Sequence, residues 1–364
     1  MRAARRGWSI TRRPADGRLL ALIMGIAAAA LPLPGPAAAI TEGASSGYCD
    51  PSAGPLSDPI DVPARGSGPG GRPGVRERTI TVAGRATRVL ESGSPKGRTG
   101  VVLVHGIPGS AADWSDLLPR IGDRRTRAVA LDMPGFGHAG DAWGLGRSPD
   151  VGATFLDRAL VELGIERVHL VAHDIGGPVA LQWASRQPKR LRSATLLNTG
   201  LLLGYRHHSL AQISRPAGAG ELFWFGLNRT VFSAGLQVGQ TRPLPAGTLN
   251  RWYDDLDRET RCTILETYRS GDEADVDALA RRQADVLARR RTRPALVIWG
   301  ADDPYLPVQM AERQREGFPR ARIEIFEDTG HWPVIDDVTR TDQLVVPFVR
   351  RAIARDRRSH RIRP

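Results

Sequence analysis

Cysteine is nearly absent: Cys49 and Cys262 are the only two in 364 residues. Neither has a second Cys or a His at metal-ligand spacing, so no metal site and no metal cofactor are expected. Lysine is as scarce, since Lys96 and Lys189 are the only lysines among 51 basic residues, which reads as a compositional bias. Aromatic residues make up 6% of the chain and are not interleaved with a basic face, so nucleic acid is not an expected partner. The one Gly-x-Ser-x-Gly match, Gly43-Ala44-Ser45-Ser46-Gly47, has no strand before it and no helix after it. That disfavours a serine hydrolase.

Charge is present but concentrated at the ends. The formal net charge is +12, yet residues 1–39 hold six Arg and one Asp and residues 350–364 hold seven Arg and one Asp, leaving +1 between them. The body is therefore close to neutral. At the N-terminus, arginines precede a 13-residue apolar run, Leu19 to Leu31, then a Pro-rich break and Ala37-Ala38-Ala39. This order is that of a secretory signal peptide, with cleavage expected after Ala39 in preference to anchoring, because a bilayer span needs about 20 apolar residues. Arg12-Arg13 offers a twin-arginine reading, ranked lower because Pro14-Ala15-Asp16 follows. A secreted chain is the expectation. Export permits a Cys49–Cys262 disulfide, and two independent thiols fit equally well. Residues 40–75 read as a Gly/Pro-rich linker. Residues 353–364 read as a solvated basic tail, with weak contact to an anionic membrane surface or cell-wall polymer as the alternative.

From about Arg78 the pattern is regular. Thr79–Val82 and Thr87–Leu90 predict a hairpin, and Val101–Val104, Ala128–Leu131, Arg167–Ala172 and Ala194–Leu197 predict strands, separated by helices over Ala111–Leu118 (ended by Pro119) and Thr154–Leu163. Alternation stops for about ninety residues, then resumes with strands over Pro294–Trp299 and Ala321–Phe326 and a last helix over Val338–Ile353. Such alternation implies an α/β class with a mostly parallel, doubly wound sheet. The expected organisation is a core of residues 76–200 and 293–352 with an inserted helical cap, 201–292.

Three motifs carry chemistry. In Val171-Ala172-His173-Asp174-Ile175-Gly176-Gly177 a strand turns sharply into a helix, and a carboxylate occupies the turn where a nucleophile elbow places its attacking residue. Trp299-Gly300-Ala301-Asp302-Asp303-Pro304 sets acids after a strand, and Thr329-Gly330-His331-Trp332-Pro333 sets a histidine after the last one. With His105-Gly106-Ile107-Pro108 and Asp132-Met133-Pro134-Gly135-Phe136-Gly137, these residues give residues 78–352 a resemblance to the aspartate-nucleophile branch of the α/β-hydrolase superfamily, which includes epoxide hydrolases and haloalkane dehalogenases. The resemblance implies an α/β-hydrolase fold. It also implies Asp174 as nucleophile, Asp303 as acid with Asp302 a bystander, His331 as base, and the backbone N–H groups of Ile107 and Ile175 as oxyanion hole. His105 is expected to brace its loop.

The leaving group is less legible. Haloalkane dehalogenases of this branch carry a tryptophan after the nucleophile and often an asparagine in the His-Gly-x-Pro motif; here both positions are isoleucine. The arginine of fluoroacetate dehalogenases is missing too. Epoxide opening needs an acid from the cap. Tyr268 is the leading candidate, Tyr205 and Tyr253 are substitutes, and packing is the favoured role for Tyr253. The reading is a cofactor-independent, epoxide-hydrolase-like enzyme on a small apolar substrate. A dehalogenase or other hydrolase on the same fold and a non-catalytic ligand-binding protein are the alternatives.

Overall fold

The computed structural model describes Cys49 and residues 73–139 and 148–361. The expected signal peptide and nearly all of the expected linker lie outside the described residues. Eight strands build the centre: β1 (Arg76–Val82), β2 (Arg85–Gly93), β3 (Thr99–Val104), β4 (Arg127–Leu131), β5 (Arg167–His173), β6 (Leu191–Leu197), β7 (Ala295–Gly300) and β8 (Arg322–Phe326). They form one sheet in the order β1-β2-β4-β3-β5-β6-β7-β8. β1 and β2 pair antiparallel, as do β2 and β4, and every later pairing is parallel.

The apolar runs are buried on both faces, as a covered parallel sheet requires. Val102 and Val104 face one layer with helices Pro149–Glu162 and Gly176–Arg186. Val101 and Leu103 face the other, with Trp114, Leu118, Val345, Val349 and Ile353. The period-2 alternation of strand side chains thus feeds two cores from one sequence run.

Between β6 and β7 lie six helices, from Ser209–Ser214 to Glu273–Ala288. Polar contacts tie them to the sheet domain. Asp113 accepts from Arg251 (2.8 Å) and from the Trp252 indole (2.9 Å), and Gln283 donates to the Pro178 carbonyl (3.0 Å). Cys262, fully buried in helix Arg258–Arg269, is disulfide-bonded to Cys49. The lead segment is therefore covalently pinned to this cap, a pairing that the sequence left open.

Two expectations need correction. Pro119 does not end a helix over Ala111–Leu118; a 3-10 turn (Ala111–Trp114) comes first, and Pro119 sits in the first turn of a new helix, Leu118–Ile121. The missing N–H costs nothing there, because first-turn donors lack intrahelical partners. The last helix does not stop at Ile353 but runs from Val338 to Arg361. Ala352 and Ile353 pack inward, and arginines near a helix C-terminus meet its negative end.

Candidate active site

β5 delivers Asp174 at the carboxyl end of the sheet with φ +48°, a left-handed conformation that non-glycine residues adopt only when their surroundings impose it. The surroundings do so here. The Asp174 carbonyl accepts from Gly177 N–H (2.9 Å) and from the Thr199 hydroxyl, and helix Gly176–Arg186 starts immediately behind. A Cβ on Gly176 would stand against the Val104 carbonyl at 2.7 Å, and one on Gly106 would meet the Asp174 carboxylate carbon at 2.8 Å. Only glycine at both positions lets the backbones close on the turn.

Asp174 Oδ1 accepts from Ile107 N–H at 2.8 Å, and Oδ2 faces His331 Nε2 at 3.3 Å. His331 Nδ1 donates to Asp303 Oδ2 at 2.8 Å. The Asp303 carboxylate is fully buried yet saturated. Its Oδ1 accepts from Tyr305 N–H (2.8 Å) and Leu306 N–H (3.0 Å), and its Oδ2 also accepts from Asn198 Nδ2 (2.6 Å). Asn198, itself at φ +44°, accepts from Gly300 N–H (3.0 Å) through Oδ1 and so locks the end of β6 to the end of β7.

Electrostatics follow from this geometry. Burial disfavours the His331 imidazolium, but the charges of Asp303 and Asp174 and hydrogen bonds to both outweigh it and raise His331 to about 10. Burial also disfavours the Asp174 carboxylate, yet the hydrogen bond and charge of His331, with the Ile175 N–H, hold it well below the usual carboxylate range. His173 donates from Nε2 to the His331 carbonyl (2.9 Å). Burial and the neighbouring His331 push its own ring down to about 4. The rings of His173, Tyr305 and Trp332 each lie 4.9 Å from that of His331 and fix its plane.

Asp174 opens into a cavity of about 220 Å³ whose walls include Ile107, Ile175, Leu202, Val179 and Leu306. Tyr205, Tyr268 and His208 are among the polar side chains that line it from the cap side, with His207, Thr267 and Gln283. Burial and the Asp174 charge push both phenols up, so both stay protonated. Burial pushes His208 down to about 4, so its ring is neutral at pH 7. Its Nδ1 accepts from Ala211 N–H (3.3 Å), capping helix Ser209–Ser214, which leaves the ring proton on Nε2. His208 packs edge-on against Tyr268 (5.6 Å) and Tyr305 (5.1 Å).

The sequence profile described as "alpha/beta hydrolase fold" matches residues 100–338, two thirds of the chain. The chain belongs to the α/β-hydrolase fold family. A 2-hydroxy-6-oxononadienedioate/2-hydroxy-6-oxononatrienedioate hydrolase of Paraburkholderia phymatum is 25% identical over 290 residues, covering 74% of this chain and 93% of that protein. The dihydrolipoyllysine-residue acetyltransferase component of the acetoin cleaving system of Pseudomonas putida is 29% identical, covering 74% and 68%. Among solved structures, the haloalkane dehalogenase DatA of Agrobacterium tumefaciens superposes with a TM-score of 0.66 at 20% identity, covering 81% of this chain and all of that one. That likeness speaks to the fold.

Within this α/β-hydrolase fold, the structure brings Asp174, Asp303, His331 and the Ile107 N–H into one hydrogen-bonded array. Asp302 points elsewhere and accepts from Thr241 of the cap (2.7 Å). His105 is buried, accepts from Met133 N–H at Nε2 (3.0 Å) and packs on Phe136. Tyr253 lies away from the cavity, its hydroxyl donating to the Leu227 carbonyl (3.3 Å) and its ring under the Arg229 guanidinium (4.5 Å). Sequence reasoning missed Asn198 and His208. A polar residue ending a predicted strand was the only signal for Asn198. Among the described residues no group of His, Cys, Asp and Glu could hold a metal ion.

Proposed function

We propose that the chain is an exported hydrolase of epoxide-hydrolase type, in which Asp174 forms a covalent ester with a substrate carbon. The observation that carries this reading is an ionised carboxylate at the elbow, with one oxygen on a backbone N–H and the other against His331. With Oδ1 held by the Ile107 N–H, attack on an sp3 carbon falls to Oδ2, which exchanges its contact with His331 for the new bond. Attack breaks the carbon–oxygen bond of a strained ring and leaves negative charge on the departing oxygen. Tyr268, Tyr205 and neutral His208 are protonated donors on the cap wall, suited to an oxygen leaving group.

Ester formation removes the charge of Asp174. His331 then keeps only Asp303 against the cost of burial, so its affinity for a proton falls, it releases its resting proton to solvent, and the neutral ring becomes the base; the proton is recovered when the Asp174 charge returns. It takes a proton from water, the hydroxide attacks Cγ of Asp174, and the Ile107 N–H, with that of Ile175, holds the oxyanion, each such donor contributing about 3 kcal/mol. Collapse releases the ester alkoxide, which takes the proton from His331, and the second proton of water, left on the Asp174 carboxyl, returns to the cap donor that protonated the ring oxygen, restoring the carboxylate. Export is supported by the Cys49–Cys262 bond, which fits an oxidising compartment. Among the described residues lining the cavity there is neither tryptophan nor asparagine, so halide departure lacks the donors expected for it.

The test is intact-mass spectrometry of His331→Ala after incubation with epoxides and haloalkanes. An adduct on Asp174 heavier by one whole epoxide is the expected result. An alkyl adduct formed only from haloalkanes would replace the reading with dehalogenation. Absence of any adduct, with apolar ligands still bound, would favour the binding-protein alternative.

A further inference from the structure

The end of the molecule opposite the cavity carries charge that the site does not use. Parallel strands put their amino ends there: β4 starts at Arg127, β5 at Arg167 and β6 at Leu191. The C-terminal helix arrives at the same end and is fastened to it. Arg350 donates to the Arg120 carbonyl (3.0 Å), Arg357 to the Arg125 carbonyl (2.5 Å), and Asp356 pairs with Arg192 (2.6 Å). Both acids of that helix are engaged from outside it, Asp356 by Arg192 and Asp342 by Arg120. What projects to solvent is predominantly basic, with Glu166, ion-paired to Arg98, an exposed acid beside the start of β5. Arg124, Arg125, Arg351, Arg355 and Arg358 are exposed beside Arg350 and Arg357, and Asp123 is the exposed acid among them. Helix-end capping accounts for arginines in the last turn, but not for Arg124, Arg125, Arg350 or Arg351.

We propose that this basic end docks on the surface of an anionic phospholipid bilayer, with the pocket held away from the membrane. The arginines come from a loop and a helix end and stand exposed on one side of the fold, as a planar lattice of charge requires. Neither segment 122–127 nor segment 350–361 contains Phe, Trp or Tyr, so the patch has no platform for stacking bases. The remaining body is close to neutral, and attraction to a charged surface fades over a Debye length of about 8–10 Å. One orientation therefore prevails. β5 spans seven residues from Arg167 to His173, which at about 3.3 Å per residue sets Asp174 more than two Debye lengths from the lipid. The docked enzyme draws its substrate from the aqueous side. This inference does not depend on the leaving group.

Co-sedimentation of the full chain with vesicles tests it, using equal parts phosphatidylglycerol and phosphatidylcholine against phosphatidylcholine alone. The expected result is partition onto the anionic vesicles at about 50 mM salt, its loss at about 500 mM, and none onto the neutral vesicles. The variant R124Q/R351Q/R355Q/R358Q, with its fold checked by circular dichroism and thermal midpoint, should lose about fivefold in partition per arginine, more than a hundredfold in all. Its binding of apolar ligands in the cavity should not change. Equal partition onto both vesicle types, or a variant that partitions like the parent, would overturn the proposal. So would displacement from anionic vesicles by an equal charge of duplex DNA or of a glycerol-phosphate polymer, because the surface would then prefer a different polyanion.

Discussion

Replacing Asp174 by Asn imitates the ester electronically: the side chain keeps its shape and loses its charge. In the parent site His331 is raised from 6.5 to about 10, a preference for the imidazolium on the order of 5 kcal/mol. The ring is 2% exposed, so solvent screens little of this. Two carboxylates oppose the burial cost, each by charge and by a hydrogen bond. Asp174→Asn removes one and leaves the burial cost intact, so roughly half of the opposing energy disappears. His331 should then titrate within pH 5 to 8, where the parent ring stays protonated. The assay is the ring ¹⁵N shifts of His331 followed by NMR in both proteins. Stability gives a second readout with a definite sign. A histidine raised on folding contributes fully below the unfolded value of 6.5, and its contribution is lost as pH rises toward about 10. Urea unfolding of the parent should therefore show stability falling between those limits by a few kcal/mol, and Asp174→Asn should flatten the fall. An imidazole that remains protonated at pH 8 in the variant would refute the idea that alkylation arms the base.

Asn198→Ala should lower kcat/KM by about 10- to 100-fold, because a buried hydrogen bond to a charged group contributes roughly 1.5–3 kcal/mol. Its substrate KM should move little, and steady-state kinetics on any substrate found by adduct trapping would show the split; an unchanged kcat would sink the positioning role. Reduction of the Cys49–Cys262 bond, which closes a separation of 213 residues, should lower unfolding free energy by about 5 kcal/mol on the loop-entropy account. Denaturant midpoints with and without reductant, and for Cys49→Ala, measure it. A coincident pair of curves would mean that the lead segment adds nothing to the cap's stability.

The sheet was legible because its signals are local. Continuous apolar runs such as Val101–Val104 could be buried only by layers on both sides, and glycines flanking Asp174 admit only a tight turn. The triad order then followed from strand ends. Boundaries failed where a residue has two meanings: Pro119 opens a helix as readily as it ends one, and Arg357, beyond Ile353, looks solvated until its partner, the Arg125 carbonyl, is seen. The disulfide was beyond reach, since nothing near Cys49 points to a helix 213 residues away. His208 was invisible for a related reason. In sequence it is one of two adjacent histidines in a loop, and only the fold shows that Ala211 takes its Nδ1 while Tyr268 and Tyr305 enclose the ring.

That contrast divides the site into two halves with different determinants. Asp174, His331 and Asp303 sit on strand ends whose spacing the sheet dictates, so the proposed hydrolysis of an ester at Asp174 rests on short motifs. Tyr205, His208 and Tyr268 come from cap segments whose mutual distances depend on helix packing alone, and their donor character depends on burial that no motif encodes. The nature of the departing group is therefore a property of the cap. An isoleucine at both 107 and 175 places no side-chain donor beside Asp174 on the sheet side of the cavity, whereas Tyr205, Tyr268 and the neutral His208 stand among the polar groups on the cap side. Donors of that kind suit an alkoxide, which needs a proton, better than a halide, which needs only a fixed dipole.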